Sequence, residues 1–250
     1  MVNEPESCSN THDWTWQTAA GRPYLTCTLL APWQHGFFTR HFPELPGHLF
    51  GTEQNYRLQQ VHGAVVHRAG ENEGRPAGDA LVSTEADQGV WVCSADCVPL
   101  LVGDCQTGRV AAIHAGWRGT AAQILKETLL TLEGAGSQLA DLRVALGPAI
   151  SGTHYPVEWP VAKVVLQTLV GPAGREAWLA LPDSPLLPDP QPTHVRLDLR
   201  RVQVRQLLAL GLQADQISLC PACTFQDVAR FCSYRRTRQK AVQWSGIVSG

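Results

Sequence analysis

The sequence lacks the features that mark a nucleic-acid-binding or membrane protein. It has 20 Lys and Arg against 22 Asp and Glu, a formal net charge of −2, and no block of basic residues. A chain without a basic patch has no electrostatic footprint for nucleic acid or for a membrane surface. No apolar run approaches the roughly 18 residues of a membrane helix. We therefore expect neither nucleic acid nor a membrane as a partner.

The sequence also lacks internal repeats, low-complexity tails and, in its first ten residues, the charged and apolar segments of a signal peptide. Eight cysteines in a long chain that is 44% hydrophobic favour reduced thiols over a disulfide framework. We expect a cytoplasmic protein whose residues 1–250 form one domain with a sizeable core.

A cysteine and a histidine lie at the ends of two apolar runs in residues 91–120, a segment typical of a βαβ-like unit. Residues 98–102 and 110–113 are predicted to be short buried strands, and the turn residues between them would fold the second beside the first. Cys97 and His114 would then be neighbours. Thiolate and imidazole are zinc ligands, and a second histidine would complete the three-ligand set of an open catalytic site.

His62 is the third ligand that we predict, because it follows a strand-like run and precedes a glycine. A fourth position would remain for water, whose pKa falls to roughly 7 at such a site. Each residue also has a structural interpretation: Cys97 as a small buried hydrophobe, and His62 as part of an ordinary turn. Cys220 and Cys223 leave two further alternatives open, a structural zinc site with Cys93 and Cys97, or a redox pair.

A glycine-bearing turn at residues 116–120 joins the second strand to a predicted helix at 121–132, with Thr120 as its N-cap. Backbone N–H groups at such a turn bind anions, and Arg118 would add a fork of donors. The turn lacks the glycine and lysine spacing of a Walker loop or a dinucleotide fingerprint. The alternative is that the glycines only let the helix pack closely on the sheet.

Short motifs spread over residues 36–236 carry a family resemblance. They are GFFTR at 36–40, QVHG at 60–63, DALV at 79–82, ADCVP at 95–99, AIHAGWRG at 112–119, GPAI at 147–150 and FCSYRR at 231–236. Together they resemble the YfiH family, also called the laccase-domain or polyphenol oxidase family. The sequence departs from that family at Ala149 and His154, where members usually have cysteine, in a short 40–60 segment, and at residues 237–240.

The resemblance implies a zinc site formed by His62, Cys97 and His114. It also implies phosphorolysis of adenosine, inosine and methylthioadenosine, and deamination of adenosine, so that purine nucleosides and inorganic phosphate are the expected partners. For substrate and phosphate binding we name Gln60 and three cations, Arg40, Arg118 and Arg235. For catalysis we name Cys97, His114 and Asp79, the last as a proton shuttle.

Three other functions stay open at this point. A cysteine hydrolase, for example an amidase in peptidoglycan editing, would use Cys97 as nucleophile and His114 as base, with Asp96 or Asp79 orienting the histidine. A polyphenol oxidase would bind copper at the same three ligands, although none of the nine histidines forms the His-x-His pair of multicopper sites. A binding module without catalysis is the third.

The predicted fold class is α/β, a single domain with mixed β-sheets flanked by helices. Residues 14–30 predict an opening hairpin, and residues 157–170 and 197–210 predict helices, the second with Arg200, Arg201 and Arg205 on a solvated face. Six prolines at 171–192 predict a surface loop. The site is expected where the His62 loop, the Cys97 strand and the His114 turn converge.

Overall fold

A computed structural model describes residues 13–71 and 73–250. The signal-peptide prediction therefore concerns residues outside the described part of the chain. Within it the strands, in chain order, are β1 (Trp14–Ala19), β2 (Arg22–Cys27), β3 (His35–Phe38), β4 (Asn55–Arg57), β5 (Val66–Arg68), β6 (Ala80–Val82), β7 (Gly89–Ser94), β8 (Val98–Asp104), β9 (Val110–Ala115), β10 (Leu142–Leu146), β11 (Pro156–Glu158), β12 (Leu186–Pro188), β13 (His194–Leu197), β14 (Ile217–Leu219) and β15 (Gln243–Val248).

The α-helices of the described residues are α1 (Trp117–Ala121), α2 (Ile124–Gly134), α3 (Trp159–Leu166), α4 (Arg175–Leu179), α5 (Leu199–Ala209) and α6 (Tyr234–Thr237). None of them is long and apolar enough to cross a membrane.

The strands form three sheets. The first has the order β1-β2-β3-β15-β7-β4, the second β14-β10-β8-β9-β6-β5, and the third β11-β13-β12. The two larger sheets each combine antiparallel and parallel pairs, for example β8 with β9 and β5 with β6. One apolar core lies between the second sheet and the helices, and another lies between the first two sheets. The predicted mixed α/β fold is thus confirmed, as is the opening hairpin of β1 and β2.

The β8–β9 hairpin explains why the two halves of the candidate site meet. Every residue of both strands is buried. At the turn, Asp104 Oδ1 accepts hydrogen bonds from the backbone N–H groups of Gln106 and Thr107 at 2.8 and 3.0 Å, and Gly108 takes φ +71°. The predicted βαβ-like unit is therefore wrong in detail, because the strands are antiparallel neighbours with no helix between them.

The helix predicted at 121–132 is two helices, α1 and α2, with Gln123 at φ +59° between them. Thr120 is not the N-cap. It lies buried inside α1, where its hydroxyl donates to Gly116 O at 2.9 Å and accepts from Gln203 Nε2. A Cβ on Gly119 would lie 2.9 Å from Gly63 O, so this glycine allows the close packing that was the alternative interpretation of the turn.

Two predictions of local structure after residue 150 are corrected. The proline-rich segment is not simply a surface loop, because it contains α4 and the edge strand β12 and buries Trp178 and Leu186. Proline is tolerated on an edge strand, where the ladder hydrogen bond is not needed. The helix predicted at 157–170 is shorter, since β11 precedes it and α3 ends at Leu166.

Arg200 does not lie on a solvated face. It is only 8% exposed, it pairs with Asp198, and its Nη1 donates to Cys220 O at 3.3 Å. Asp198 is also the N-cap of α5, accepting from the N–H groups of Arg200 and Arg201. The sequence of the helix does not show that the carbonyl of Cys220, which follows β14, accepts a hydrogen bond from Arg200.

Candidate metal centre and active site

Cys97 and His114 lie side by side at the end of the second sheet. In the register of β8 and β9, Pro99 pairs with His114 and Val98 with Ala115, so Cys97 immediately precedes the paired region. His114 is buried and Cys97 is partly buried. The sequence prediction that they become neighbours is confirmed.

His62 completes the group from an exposed loop between β4 and β5. The side-chain ligand atoms of His62, Cys97 and His114 all lie within 4.8 Å of one another. The two imidazole rings are nearly perpendicular, with centroids 4.8 Å apart. Among the described residues this is the one group of three or more such side chains close enough to hold a metal ion.

Asp79 contacts both histidines, the side chain of His114 and the backbone of His62. Its carboxylate is fully buried and accepts hydrogen bonds from His114 Nδ1 at 2.9 Å and from the backbone N–H groups of Val61, His62 and Gly63 at 3.2, 2.9 and 2.7 Å. His62 has φ +61°, and these N–H contacts hold its loop in that conformation. Asp79 therefore fixes the orientation of His114 and leaves its Nε2 toward Cys97.

The three side chains fit a metal ion. Their ligand atoms lie within 4.8 Å of one another, near enough for one ion to contact all three, and two imidazoles with one thiolate are a donor set that zinc accepts. A carboxylate behind a ligand histidine is the usual outer partner in such sites. Gly116 keeps the space clear, because a Cβ there would lie 2.8 Å from Cys97 Sγ and 3.3 Å from His62 Cδ2.

Hydrogen bonds around the centre shift three pKa values. Burial alone would raise the pKa of Cys97, but hydrogen bonds from His114 and His62 lower it to about 6. Burial would lower the pKa of His114, but Asp79 and Cys97 raise it to about 9. The pKa of Asp79 is lowered, since His114 and the loop N–H groups outweigh its burial. Without a metal, Cys97 is therefore a thiolate at neutral pH, the form that binds metals.

Gln60 fastens the His62 loop to the first sheet. Its Nε2 donates to Cys93 O at 2.7 Å, and its Oε1 accepts from Cys93 N at 2.8 Å. Both polar atoms of the amide are thus engaged by one residue of β7. The substrate-binding role predicted for Gln60 stays a prediction.

Asp96 gathers three other segments beside Cys97. Asp96 is buried, and its backbone has φ +95°. Its carboxylate accepts hydrogen bonds from the Thr224 hydroxyl and from the backbone N–H of Arg235, both at 2.7 Å. Its backbone carbonyl accepts from Ile150 N at 3.0 Å. Of the two acids considered for orienting His114, the structure selects Asp79.

The predicted cations occupy different surroundings. Arg235 is partly buried, its guanidinium carbon lies 4.9 Å from the centre of the Tyr155 ring, and its Nη1 donates to Pro156 O. Arg118 is exposed and stacks on Trp117 at 4.4 Å. Arg40 is also exposed, and its guanidinium donates to Val228 O. The phosphate-binding roles of all three stay predictions.

Tyr155 is a site residue that the sequence analysis missed. Its pKa is raised to about 12, first by burial and then by the nearby charge of Cys97, while Arg235 and Arg118 oppose the shift. Arg235 lies over its ring, and the backbone N–H of Arg235 donates to Asp96 next to Cys97, so Tyr155 lies near the candidate metal centre. Its position directly after His154, in the segment that follows the GPAI motif, was the available signal.

The structural zinc site considered for Cys220 and Cys223 with Cys93 and Cys97 does not form, and the redox pair stays a prediction. Cys220 is fully buried, and burial raises its pKa to about 12. Cys223 Sγ instead accepts a hydrogen bond from Ser151 N. The seven described cysteines are free thiols, and neither Cys220 nor Cys223 joins Cys97 in a group of ligands.

His154 stacks on Phe225, with its Nδ1 at 3.0 Å from the Ser151 hydroxyl.

Comparison with known proteins agrees with this geometry. Residues 46–248 match the family described as multi-copper polyphenol oxidoreductase laccase. The chain belongs to this family. It is 47% identical over 256 residues to a purine nucleoside phosphorylase of Synechocystis, a match that covers 94% of this chain and 97% of the relative. It is 32% identical to a purine nucleoside phosphorylase of Corynebacterium glutamicum, covering 75% of this chain and 72% of that protein.

The fold is that of solved family members. The crystal structure of YlmD from Geobacillus stearothermophilus superposes with a TM-score of 0.80 at 26% identity and covers 94% of this chain and 98% of that one. YfiH from Bacillus licheniformis superposes with a TM-score of 0.79 at 23% identity, covering 94% and 99%. The YfiH family resemblance read from the sequence motifs is confirmed.

Proposed function

We propose that this chain is a zinc-dependent purine nucleoside phosphorylase that acts on adenosine, inosine and methylthioadenosine and also deaminates adenosine. The observation that carries the proposal is the near full-length match to a purine nucleoside phosphorylase, combined with a His-Cys-His centre built for a metal. Two nitrogens and one sulfur suit zinc, and copper binds the same donors. The cytoplasmic location stays a prediction.

A bound zinc ion would be held by His62, Cys97 and His114, and it would supply a Lewis acid and an activated water. The chain's own residues organise the surroundings. Asp79 fixes His114 through Nδ1 and the His62 loop through three N–H groups. Those contacts describe a positioning group, and the proton-shuttle role of Asp79 stays a prediction.

Arg235 and Arg118 are the cations that we assign to phosphate. The backbone N–H of Arg235 donates to Asp96 next to Cys97, and Arg118 comes two residues after Gly116, which lies against Cys97 and His62, so both cations belong to segments beside the candidate centre. A guanidinium presents paired donors that match phosphate oxygens. Asp96 fixes the backbone of Arg235 at 2.7 Å and so holds that cation near the centre.

The test is phosphate-dependent cleavage. Purified protein with inosine and inorganic phosphate should release hypoxanthine and ribose 1-phosphate, and it should release neither without phosphate. With adenosine, adenine reports phosphorolysis, whereas inosine and the hypoxanthine released from it report deamination. Chelation and Cys97→Ala should each abolish turnover, whereas Cys93→Ala, a partly buried cysteine outside the ligand group, should retain it. Nucleoside left intact by the zinc-loaded wild type would refute the proposal.

One observation favours a second candidate, a cysteine hydrolase. Without metal, the lowered pKa of Cys97 and the raised pKa of His114 create a thiolate beside an imidazolium, the pairing of a nucleophilic cysteine. In that role Asp79 would orient the histidine. Activity that survives chelation but disappears in Cys97→Ala would favour it.

A further inference from the structure

Tyr155 packs against Arg235, whose backbone N–H donates to Asp96 next to Cys97, and the proposed function does not yet use the Tyr155 hydroxyl. Two hydrogen bonds fix the backbone of Tyr155. Its N–H donates to Gly152 O at 3.2 Å in the short turn before it, and its carbonyl accepts from Leu197 N at 3.0 Å. These two backbone contacts fix the residue between the GPAI segment and β13. The side chain is partly buried, and its hydroxyl is not among the fully buried atoms that lack a hydrogen-bond partner, so the group is open to a ligand.

Arg235 holds the ring from one face. Its guanidinium carbon lies 4.9 Å from the ring centre, its Nη1 donates to Pro156 O at 2.8 Å, and its backbone N–H donates to Asp96 at 2.7 Å. A cation over the ring face is a favourable contact that does not use the hydroxyl. No described residue forms a hydrogen bond with the Tyr155 hydroxyl.

The charges around the phenol are those of the site. Cys97 and Asp96 are its negative neighbours, and Arg235 and Arg118 its positive ones. A tyrosine hydroxyl keeps its proton at neutral pH, because its ordinary pKa is about 10, and burial raises the pKa of Tyr155 further. A polar group that is partly buried and lacks a protein partner is available to a ligand.

Phosphorolysis creates an acceptor that matches this donor. A phosphate oxygen forms a bond to C1′ of the ribose as the C1′–N9 bond breaks, and the electron pair of that bond leaves with the purine. The negative charge spreads over the ring and reaches N7. A fixed donor at the position where charge develops stabilises the transition state more than the ground state.

We propose that the Tyr155 hydroxyl donates a hydrogen bond to N7 of the departing purine. The phenol keeps its proton, and the purine anion takes a proton from solvent after release. Arg235 and Arg118 suit the phosphate, because planar cations match its oxygens, whereas the neutral phenol suits a ring nitrogen. This inference rests on the proposed function and assigns the leaving-group contact of the same site.

The experiment compares Tyr155→Phe with wild type on inosine and on 7-deazainosine, which has carbon in place of N7. Both proteins are zinc-loaded and supplied with inorganic phosphate. On inosine, Tyr155→Phe should lower kcat about 10- to 100-fold with little change in KM, as expected for one hydrogen bond to a charged group. Tyr234→Phe, which removes an exposed hydroxyl on α6, is the matched control and should behave as wild type.

The analogue makes the test specific. Wild type should cleave 7-deazainosine slowly, because the analogue lacks the N7 acceptor. Tyr155→Phe should cleave it at the wild-type rate within about twofold, because the analogue and the substitution each remove the same hydrogen bond. Equal slowing of both substrates by Tyr155→Phe, or undiminished cleavage of inosine, would overturn the assignment to N7. Zinc content, measured by mass spectrometry, should equal that of wild type; reduced zinc would show that Tyr155 supports the metal instead. A wild type that leaves inosine intact would overturn the proposed function and this inference together.

Discussion

Replacing Asp79 by asparagine should weaken metal binding more than any comparable loss of a buried acid elsewhere. The carboxylate accepts four hydrogen bonds, from His114 Nδ1 and from three N–H groups of the His62 loop. Asparagine keeps one acceptor oxygen and puts an NH₂ donor in the other position. If the oxygen remains on His114 and His62, the new donor faces the N–H groups of Val61 and Gly63.

The magnitude follows from these contacts. Each lost charge-assisted bond costs about 1.5–3 kcal/mol, and breaking a buried ion pair costs about 3–5 kcal/mol in total. We expect Asp79→Asn to lower the free energy of unfolding of the metal-free protein by about 3–5 kcal/mol. Loss of an outer partner typically weakens metal affinity about 10- to 100-fold, which is about 1.4–2.8 kcal/mol.

Two assays separate the effects. Urea unfolding of the metal-free protein reports stability, and competition with a chromophoric chelator reports zinc affinity. Asp104→Asn is the matched control, because Asp104 is also fully buried but serves the turn at the far end of the β8–β9 hairpin. It should reduce stability and leave zinc affinity unchanged. Equal zinc affinity in Asp79→Asn and Asp104→Asn would refute the positioning role of Asp79.

Three further predictions concern the same centre. Gly116→Ala should greatly reduce zinc binding while the protein stays folded, because the new methyl group meets Cys97 Sγ at 2.8 Å; full zinc occupancy, by mass spectrometry, would contradict this. In the metal-free protein, alkylation of Cys97 by iodoacetamide should rise with pH around a midpoint of about 6, since the thiolate reacts and its pKa is lowered; a midpoint near 9 would be inconsistent. Gln60→Ala should cost about 1–3 kcal/mol of unfolding free energy by leaving Cys93 N and O unpaired, and urea unfolding with no loss would count against the clamp.

The sequence predicted that Cys97 and His114 are neighbours because they lie where local patterns are strongest. Cys97 and His114 flank two runs that are apolar throughout, and the turn between them carries Asp104 and Gly108. Antiparallel pairing of neighbouring runs then brings the side chains together. His62 was predicted from a strand-like run followed by a glycine, and the QVHG motif then supported it.

The features that the sequence did not predict depend on contacts between distant segments. Tyr155 packs against Arg235 across 80 positions of the chain, and the buried guanidinium of Arg200 donates to the carbonyl of Cys220. Thr120 is typical of an N-cap, but the tertiary contact with Gln203 and the break at Gln123 give it a place inside a helix. Such outcomes are decided by packing, which local propensity does not describe.

The central claim is that one zinc ion bound by His62, Cys97 and His114 is required for phosphorolysis. The most direct test measures zinc per chain and phosphate-dependent inosine cleavage on the same samples: wild type, chelated and zinc-restored wild type, Cys97→Ala and Cys93→Ala. The account predicts about one zinc per chain in wild type and in Cys93→Ala. Chelation and Cys97→Ala should each remove both the zinc and the inosine cleavage. Restoring zinc to the chelated wild type should recover both. Full inosine cleavage by protein that contains no zinc would contradict it.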